Sequence, residues 1–219
     1  MKDVLKMKDH ADAHNHIGLW EMGRKRHEAA RTHFEAAVRA AEVQIEGGEV
    51  DWGRSENRPY LRGLFNLAVV SEELEQWERA AGLYEKLMVL DPDDHQGARF
   101  CVGDCYLGAG RLEDAVQAYG RGTGEPGCAY GLALAQHMRG EDGNAGTALV
   151  GAFALNWYVP PMLLGQRWER VEGWHGNSCS EPAWAVDYVE RRGRMWRAVP
   201  SSSDLLRRWW TAEPVQDWL

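Results

Sequence analysis

The stretch "LFNLAVVSEELEQWERAAGLYEKLMVLDP", residues 64–92, contains a bulky-then-small pair, Leu67-Ala68, followed by Ala80 and Tyr84. On two antiparallel helices, the small residue of the pair and the later alanine allow a close approach of the backbones. The aromatic residue then fills the space beside them. The stretch therefore predicts a helical hairpin with a short turn before its second helix.

The same pattern recurs at the same spacing three more times along the chain. The further pairs are Ile17-Gly18, Val102-Gly103 and Leu132-Ala133, the alanines are Ala30, Ala115 and Ala145, and the large residues are Phe34, Tyr119 and Leu149. Four occurrences at one spacing predict a repeat protein whose hairpins stack on one another. Ala30 and Ala80 are farther apart than any other two successive alanines of the pattern. We expect the additional residues between them to lengthen a helix and form the loop "GGEVDWGRSEN". This loop either covers one edge of a groove or is only a tolerated surface loop.

These residues resemble the tetratricopeptide repeat, whose signature is a large-small pair, a later alanine, an aromatic residue and a closing proline. "NRPYLRG", "LDPDDHQGAR" and "VPPMLLG" are similar to a bacterial subgroup with a tryptophan-rich helical tail. The resemblance implies an all-α superhelix, or solenoid, of about four helical hairpins with a helical C-terminal cap. The expected repeat array spans residues 8–160, with repeats at about 11–45, 61–94, 96–125 and 126–158.

After residue 160 the repeat pattern stops, and residues 161–219 read as an irregular connection followed by a helical cap. We expect one helix from Pro182 to about Arg197, and a shorter one that Ser201 to Ser203 cap. The chain has 11 tryptophans, and the tail is rich in them. Trp209, Trp210 and Trp218 are candidates either for the anchors of this cap or for contacts with a partner.

In tetratricopeptide arrays the first helix of each hairpin lines a concave groove, and the resemblance assigns groove positions here by register. The candidate peptide-binding residues are Asn15, Leu19, Phe65, Val69, Phe100, Asp104, Tyr130 and His137. Phe65, Phe100 and Tyr130 form a column of aromatics that suits an apolar or proline-rich peptide. The C-terminal tail could equally fold back and cover this column, and the sequence leaves that alternative open.

Charge and composition narrow the class of partner. The formal net charge of −8 argues against a nucleic acid or an anionic membrane surface, because both attract positive patches. The groove lacks the lysines that clamp a peptide carboxylate in chaperone-binding members of the family, so we expect an apolar or basic peptide or protein ligand. No secretory signal is recognisable, so we expect a cytoplasmic protein. The resemblance to the bacterial subgroup implies that the protein is bacterial. A homo-oligomer stays open.

Two segments contain residues that could bind a metal or take part in redox chemistry, but a structural role is the stronger hypothesis for both. "CVGDC", residues 101–105, has two cysteines one helical turn apart, too far for an internal disulfide. "HADAHNH" has His10 and His14 on one helical face, with Asp12 and His16 nearby, but a metal would need a further fixed ligand. We therefore expect no cofactor and no catalytic residue.

The sequence predicts a non-catalytic adaptor or scaffold that binds a peptide or partner protein in its groove. A self-associating structural protein that uses its tryptophan-rich tail is the alternative. A metal-binding sensor or enzyme is a weaker third.

Overall fold

The computed structural model describes residues 2–42, 48–167 and 178–211. Within these ranges it has eleven α-helices and no strand, so the predicted all-α fold of helical hairpins is confirmed. The helices form two compact units, Met1–Ala109 and Gly110–Leu219. The C-terminal helices pack on the helices that immediately precede them, and the domain boundary expected at residue 160 stays a prediction.

The first unit is built from two helical hairpins and a further short helix. Its helices are α1 (Lys2–Gly23), α2 (His27–Glu42), α3 (Arg58–Glu73), α4 (Trp77–Leu90) and α5 (Val102–Gly108). Neighbours along the chain pack on one another, and α1 also packs against α3. The first helices of the two hairpins are therefore adjacent, as a stacked repeat requires.

The second unit contains one helical hairpin with further helices packed around it. Its helices are α6 (Leu112–Gly120), α7 (Pro126–Met138), α8 (Asp142–Leu155), α9 (Val159–Leu163), α10 (Pro182–Arg197) and α11 (Ser202–Trp210). α7 pairs with α8, α10 packs on α9, and α11 packs on α8. The bounds of α10 and α11 confirm the two tail helices that the sequence predicts.

The hairpin turns place one residue in the left-handed backbone region. The residue is Lys25 (φ 58°) between α1 and α2, Glu75 (φ 56°) between α3 and α4, and Gly140 (φ 79°) between α7 and α8. After the second of these, the Gln76 N–H donates to the Ser71 carbonyl at 2.8 Å, which ends α3 and reverses the chain. Lysine and glutamate in this conformation each cost about 1–2 kcal/mol, whereas glycine does not.

Large rings pack where a neighbouring helix has no side chain. The ring of Phe34 on α2 occupies the position that a Cβ on Gly18 of α1 would take. The ring of Tyr119 on α6 likewise occupies the position of a Cβ on Gly131 of α7. Burial of one such ring contributes about 1.5–3 kcal/mol. All the alanines and large residues of the repeat pattern are buried: Ala30, Ala80, Ala115, Ala145, Phe34, Tyr84, Tyr119 and Leu149.

The third repeat begins with a short 3-10 turn rather than with an α-helix. The Asp94 carboxylate accepts hydrogen bonds from the Ala98 N–H at 2.6 Å and the Arg99 N–H at 3.1 Å, and so caps the turn. These bonds hold the turn Ala98–Phe100, and α5 starts only at Val102.

A buried hydrogen bond links α3 and α4. The Tyr84 hydroxyl donates to the Glu72 carboxylate at 2.6 Å, and both side chains are almost fully buried. Burial, followed by the charge of Glu72, raises the pKa of Tyr84 well above its usual value. The phenol therefore stays protonated and remains a donor at neutral pH.

We expect Tyr84→Phe to lower the free energy of unfolding by about 1.5–3 kcal/mol, because it removes a buried hydrogen bond to a charged group. Urea denaturation followed by circular dichroism measures the loss. Tyr106→Phe is the matched control, since the Tyr106 hydroxyl donates to Glu85 at 2.7 Å in a half-buried setting. A larger loss in the control than in Tyr84→Phe would contradict this account.

Candidate protein-binding surface

Asn15 is predicted to face the groove, but the structure gives it a role inside the first unit. Its side chain is 4% exposed, and its amide Nδ2 donates to the Pro59 carbonyl at 2.9 Å. Pro59 lies in the first turn of α3, so this bond joins α1 to the start of α3. The prediction for Asn15 is corrected: its amide binds the fold rather than a ligand.

Three predicted groove residues on α1 and α3 stay accessible: Leu19, Phe65 and Val69. Leu19 on α1 is 50% exposed, and Phe65 and Val69 on α3 are half-buried. Phe65 also packs edge-on against Tyr84, with ring centroids 5.6 Å apart. Because Phe65 and Val69 are four residues apart on one helix, they form a continuous apolar face.

Phe100 is also accessible, with 43% of its surface exposed. It lies at the end of the 3-10 turn before α5, and its ring packs near the α-carbon of Gly97. Gly97 has φ 74°, a conformation that suits glycine. Asp104, the other predicted groove residue near α5, is buried, and it does not offer a carboxylate to a ligand.

The loop between α2 and α3, described from residue 48, is held by one bond to the end of α4 and by one bond within the loop. The Val50 N–H donates to the Leu90 carbonyl at 2.6 Å, and the Asn57 amide donates to the Asp51 carbonyl at 2.9 Å. The Trp52 ring stacks on His95, with centroids 5.6 Å apart and planes 9° apart. The loop therefore packs against one end of the second hairpin, where α3 starts and α4 ends.

Tyr130 is the predicted groove aromatic of the second unit, and the tail covers it. The side chain is 0% exposed, and its hydroxyl donates to the Asn156 carbonyl at 2.6 Å. Its ring contacts those of Tyr188 and Trp196 on α10, at 5.7 and 6.5 Å between centroids. Burial raises the pKa of this phenol well above its usual value. The expectation that Tyr130 faces a ligand is corrected, because α10 occupies that position.

Asn156 fixes the tail in this place. It is fully buried, and its amide Nδ2 donates to the carbonyls of Cys179 at 2.6 Å and Glu181 at 3.1 Å. Its Oδ1 accepts the Tyr158 N–H at 3.0 Å. These bonds tie the end of α8 to the start of α10, so tail docking uses polar contacts as well as aromatic ones.

His137 is another predicted groove residue that the tail engages. Its two ring nitrogens bond to Asp142 Oδ1 at 2.6 Å and Ser201 Oγ at 2.7 Å. Ser201 is the residue that immediately precedes α11. Both nitrogens are thus already bonded within the unit, which corrects the expectation that His137 contacts a ligand.

The tail tryptophans Trp209 and Trp210 pack on α8. The Trp209 indole lies where a Cβ on Gly146 would stand, and Trp210 meets Phe153 edge-on, with centroids 5.2 Å apart. Both side chains are half-buried in these contacts, and a contact of either with a partner stays a prediction. Trp218 lies outside the described residues.

His10 and His14 of "HADAHNH" lie close to a third histidine, His33 of α2. The Nδ1 atoms of His14 and His33 are 3.0 Å apart, and the rings of His10 and His14 lie edge to face. Burial, then the charges of neighbouring histidines, lowers the pKa of His14. In the described part of the chain, no group of three or more His, Cys, Asp or Glu side chains is arranged to hold a metal ion.

The cysteines of "CVGDC" are also part of the fold. Cys101 precedes α5 as its N-terminal cap residue, whereas Cys105 lies inside the helix and is buried. Neither of these two cysteines forms a disulfide bond in the described part of the chain. Among the described helices, none is long and apolar enough to cross a membrane.

The sequence does not predict the cluster that Trp52 forms with Arg58 and Arg62. The side chains of Arg58 and Arg62 on α3 lie over the indole ring, at 5.5 and 5.8 Å from its centroid. The spacing of Arg58, Arg62 and Phe65 is a helical stripe that the sequence does contain. The position of Trp52 above it depends on loop contacts that no periodicity predicts.

Comparison with solved structures shows the fold of the chain, whereas comparison with protein families and curated proteins finds no match. No protein-family model and no curated protein matches the sequence. A solved structure described as "MamA MSR-1 C2" covers 91% of this chain and 95% of its own, with 12% identity and a TM-score of 0.51. A structure of TTC0263, a thermophilic TPR protein in Thermus thermophilus, covers 91% and 96%, with 17% identity and a TM-score of 0.49. The first of these likenesses shows the fold.

We expect Gly146→Ala to weaken tail docking, because the new methyl group would occupy the place of the Trp209 indole. Gly151→Ala, on the same helix and with open space at its Cβ, should instead stabilise the chain by up to about 1 kcal/mol through helix propensity. Urea denaturation of both variants gives the difference in the free energy of unfolding. Equal stabilisation by both substitutions would show that Trp209 does not pack there.

Proposed function

We propose that this chain, which has the fold of tetratricopeptide-repeat proteins, is a non-catalytic adaptor that binds an apolar peptide segment of a partner protein. The binding surface is an α1–α3 face in the first unit, made of Leu19, Phe65 and Val69, with Phe100 as a further apolar contact. A helical repeat fold is suited to protein interaction. The bacterial and cytoplasmic setting stays a prediction.

One observation supports this proposal, and it is a contrast between four predicted groove residues of the first unit and two of the second. In the first unit, Leu19 and Phe100 are exposed, and Phe65 and Val69 are half-buried. In the second unit, the side chains of Tyr130 and His137 already contact α10 and the start of α11. A groove of the second unit is thus filled by the chain's own tail, whereas the face of the first unit is open to a ligand.

Apolar and aromatic side chains favour an apolar ligand because most of the binding energy of peptide complexes comes from a few such contacts. Phe65 is preorganised by its packing on Tyr84, so little conformational entropy is lost on binding. The tail-mediated self-association that the sequence left open would require Trp209 and Trp210 to leave α8.

We expect the full chain to enrich apolar sequences from phage-displayed random dodecapeptides. For an enriched peptide labelled with fluorescein, Leu19→Ala and Phe65→Ala should each weaken binding at least about tenfold, or about 1.4 kcal/mol. Fluorescence anisotropy measures the dissociation constants.

Val89→Ala is the matched control, because Val89 is an apolar residue on α4 that is 72% exposed and lies outside the proposed face. Its affinity should equal that of the unsubstituted chain. Failure to enrich any peptide, or an equal loss for Val89→Ala and Leu19→Ala, would contradict the proposed face. Circular dichroism confirms that each variant is folded.

A further inference from the structure

Two guanidinium groups meet over one indole ring in the first unit. Arg58 and Arg62 occupy successive turns of α3, and both lie within cation–π distance of Trp52. Arg62 is exposed, and Arg58 and Trp52 are half-buried. The guanidinium groups of Arg58 and Arg62 therefore lie close together beside the Trp52 ring at the N-terminal end of α3. A ligand on the α3 face can reach both groups.

The side chains of this cluster are held in place before any ligand arrives. The Arg58 Nε donates to the Trp52 carbonyl at 3.0 Å. Trp52 stacks on His95, whose Nδ1 bonds to the buried Asp91 carboxylate at 2.8 Å. Preorganised groups lose less conformational entropy on binding than flexible surface arginines do.

Neither arginine has a carboxylate partner in the described residues. Elsewhere in the same unit, Arg79 pairs with Glu35 at 2.6 Å and Arg99 pairs with Asp94 at 2.6 Å. In a chain of net charge −8, two unpaired guanidinium groups side by side are a local exception to the overall charge. Guanidinium groups recognise carboxylates through paired, charge-assisted hydrogen bonds, so the complementary group is an anionic carboxylate.

The arginines lie on the same stripe of α3 as the proposed apolar face. Positions 58, 62, 65 and 69 are spaced by four, three and four residues, which places their side chains along one side of the helix. The stripe is therefore basic at its N-terminal end and apolar further along. One extended peptide of a few residues spans both parts, since each residue of extended chain covers about 3.3 Å.

We propose that Arg58 and Arg62 bind the carboxylate of an aspartate or glutamate in the same partner peptide whose apolar residue contacts Phe65 and Val69. This inference rests on the proposed function and specifies its ligand. It replaces the apolar or basic ligand expected from net charge, because the charge beside the α3 face differs in sign from the charge of the whole chain. Trp52 positions the two arginines and shields one side of the ion pair from water.

The test uses the full chain and two synthetic fluorescein-labelled peptides. The first is the enriched dodecapeptide, in which we expect an acidic residue, and the second has that residue replaced by its amide, Glu by Gln or Asp by Asn. Arg62→Glu should weaken binding of the acidic peptide at least tenfold and of the amide peptide less than threefold. Arg121→Glu makes the same change in net charge on the second unit and should alter neither affinity.

Several outcomes separate this inference from the proposed function. If Phe65→Ala weakens both peptides and Arg62→Glu does not distinguish them, the arginine assignment is wrong and the apolar face stands. If Arg62→Glu distinguishes them and Phe65→Ala changes neither, the apolar face is wrong. Enriched peptides without acidic residues, or equal competition by a single-stranded oligonucleotide of the same charge, would overturn the carboxylate assignment.

Discussion

Rings that pack into the space of an absent side chain hold the helices of this chain at close range. Phe34 on Gly18 joins the first hairpin, Trp77 lies over Gly108, Tyr119 lies over Gly131, and Trp209 lies over Gly146. Each contact brings a large apolar surface against a neighbouring backbone, where the packing density is high and dispersion contacts are many. Since a Cβ at any of these glycines would displace the ring, the contacts also fix which turn of one helix meets which turn of the next.

The same kind of contact underlies the different roles that we propose for the two units. In the second unit it is used by the tail: Trp209 docks on α8, and α10 places Tyr188 and Trp196 against Tyr130. In the first unit, the described residues of the inter-hairpin loop pack at the ends of α3 and α4 and leave Phe65 and Val69 accessible. These contacts are the basis of our proposal that the first unit binds the ligand and that the tail caps the second.

Much of the fold was predictable from sequence because the repeat pattern is a packing pattern. Ala30, Ala80, Ala115 and Ala145 mark helix contacts that tolerate little bulk, and they are all buried as expected. The groove was less predictable. Register places Tyr130 and Phe65 in the same column, but register does not determine whether α10 lies over either of them. Asn15 likewise looks like a ligand contact until its bond to Pro59 is known.

Hydroxyl-radical footprinting with mass spectrometry tests the central claim most directly, because oxidation rates of side chains follow their exposure to water. We expect fast oxidation of Leu19 and Phe100, and slow oxidation of Tyr130 and Trp196, in the same unliganded chain. Oxidation of Tyr130 as fast as that of Phe100 would contradict this claim, since the tail would then not cover the face of α7.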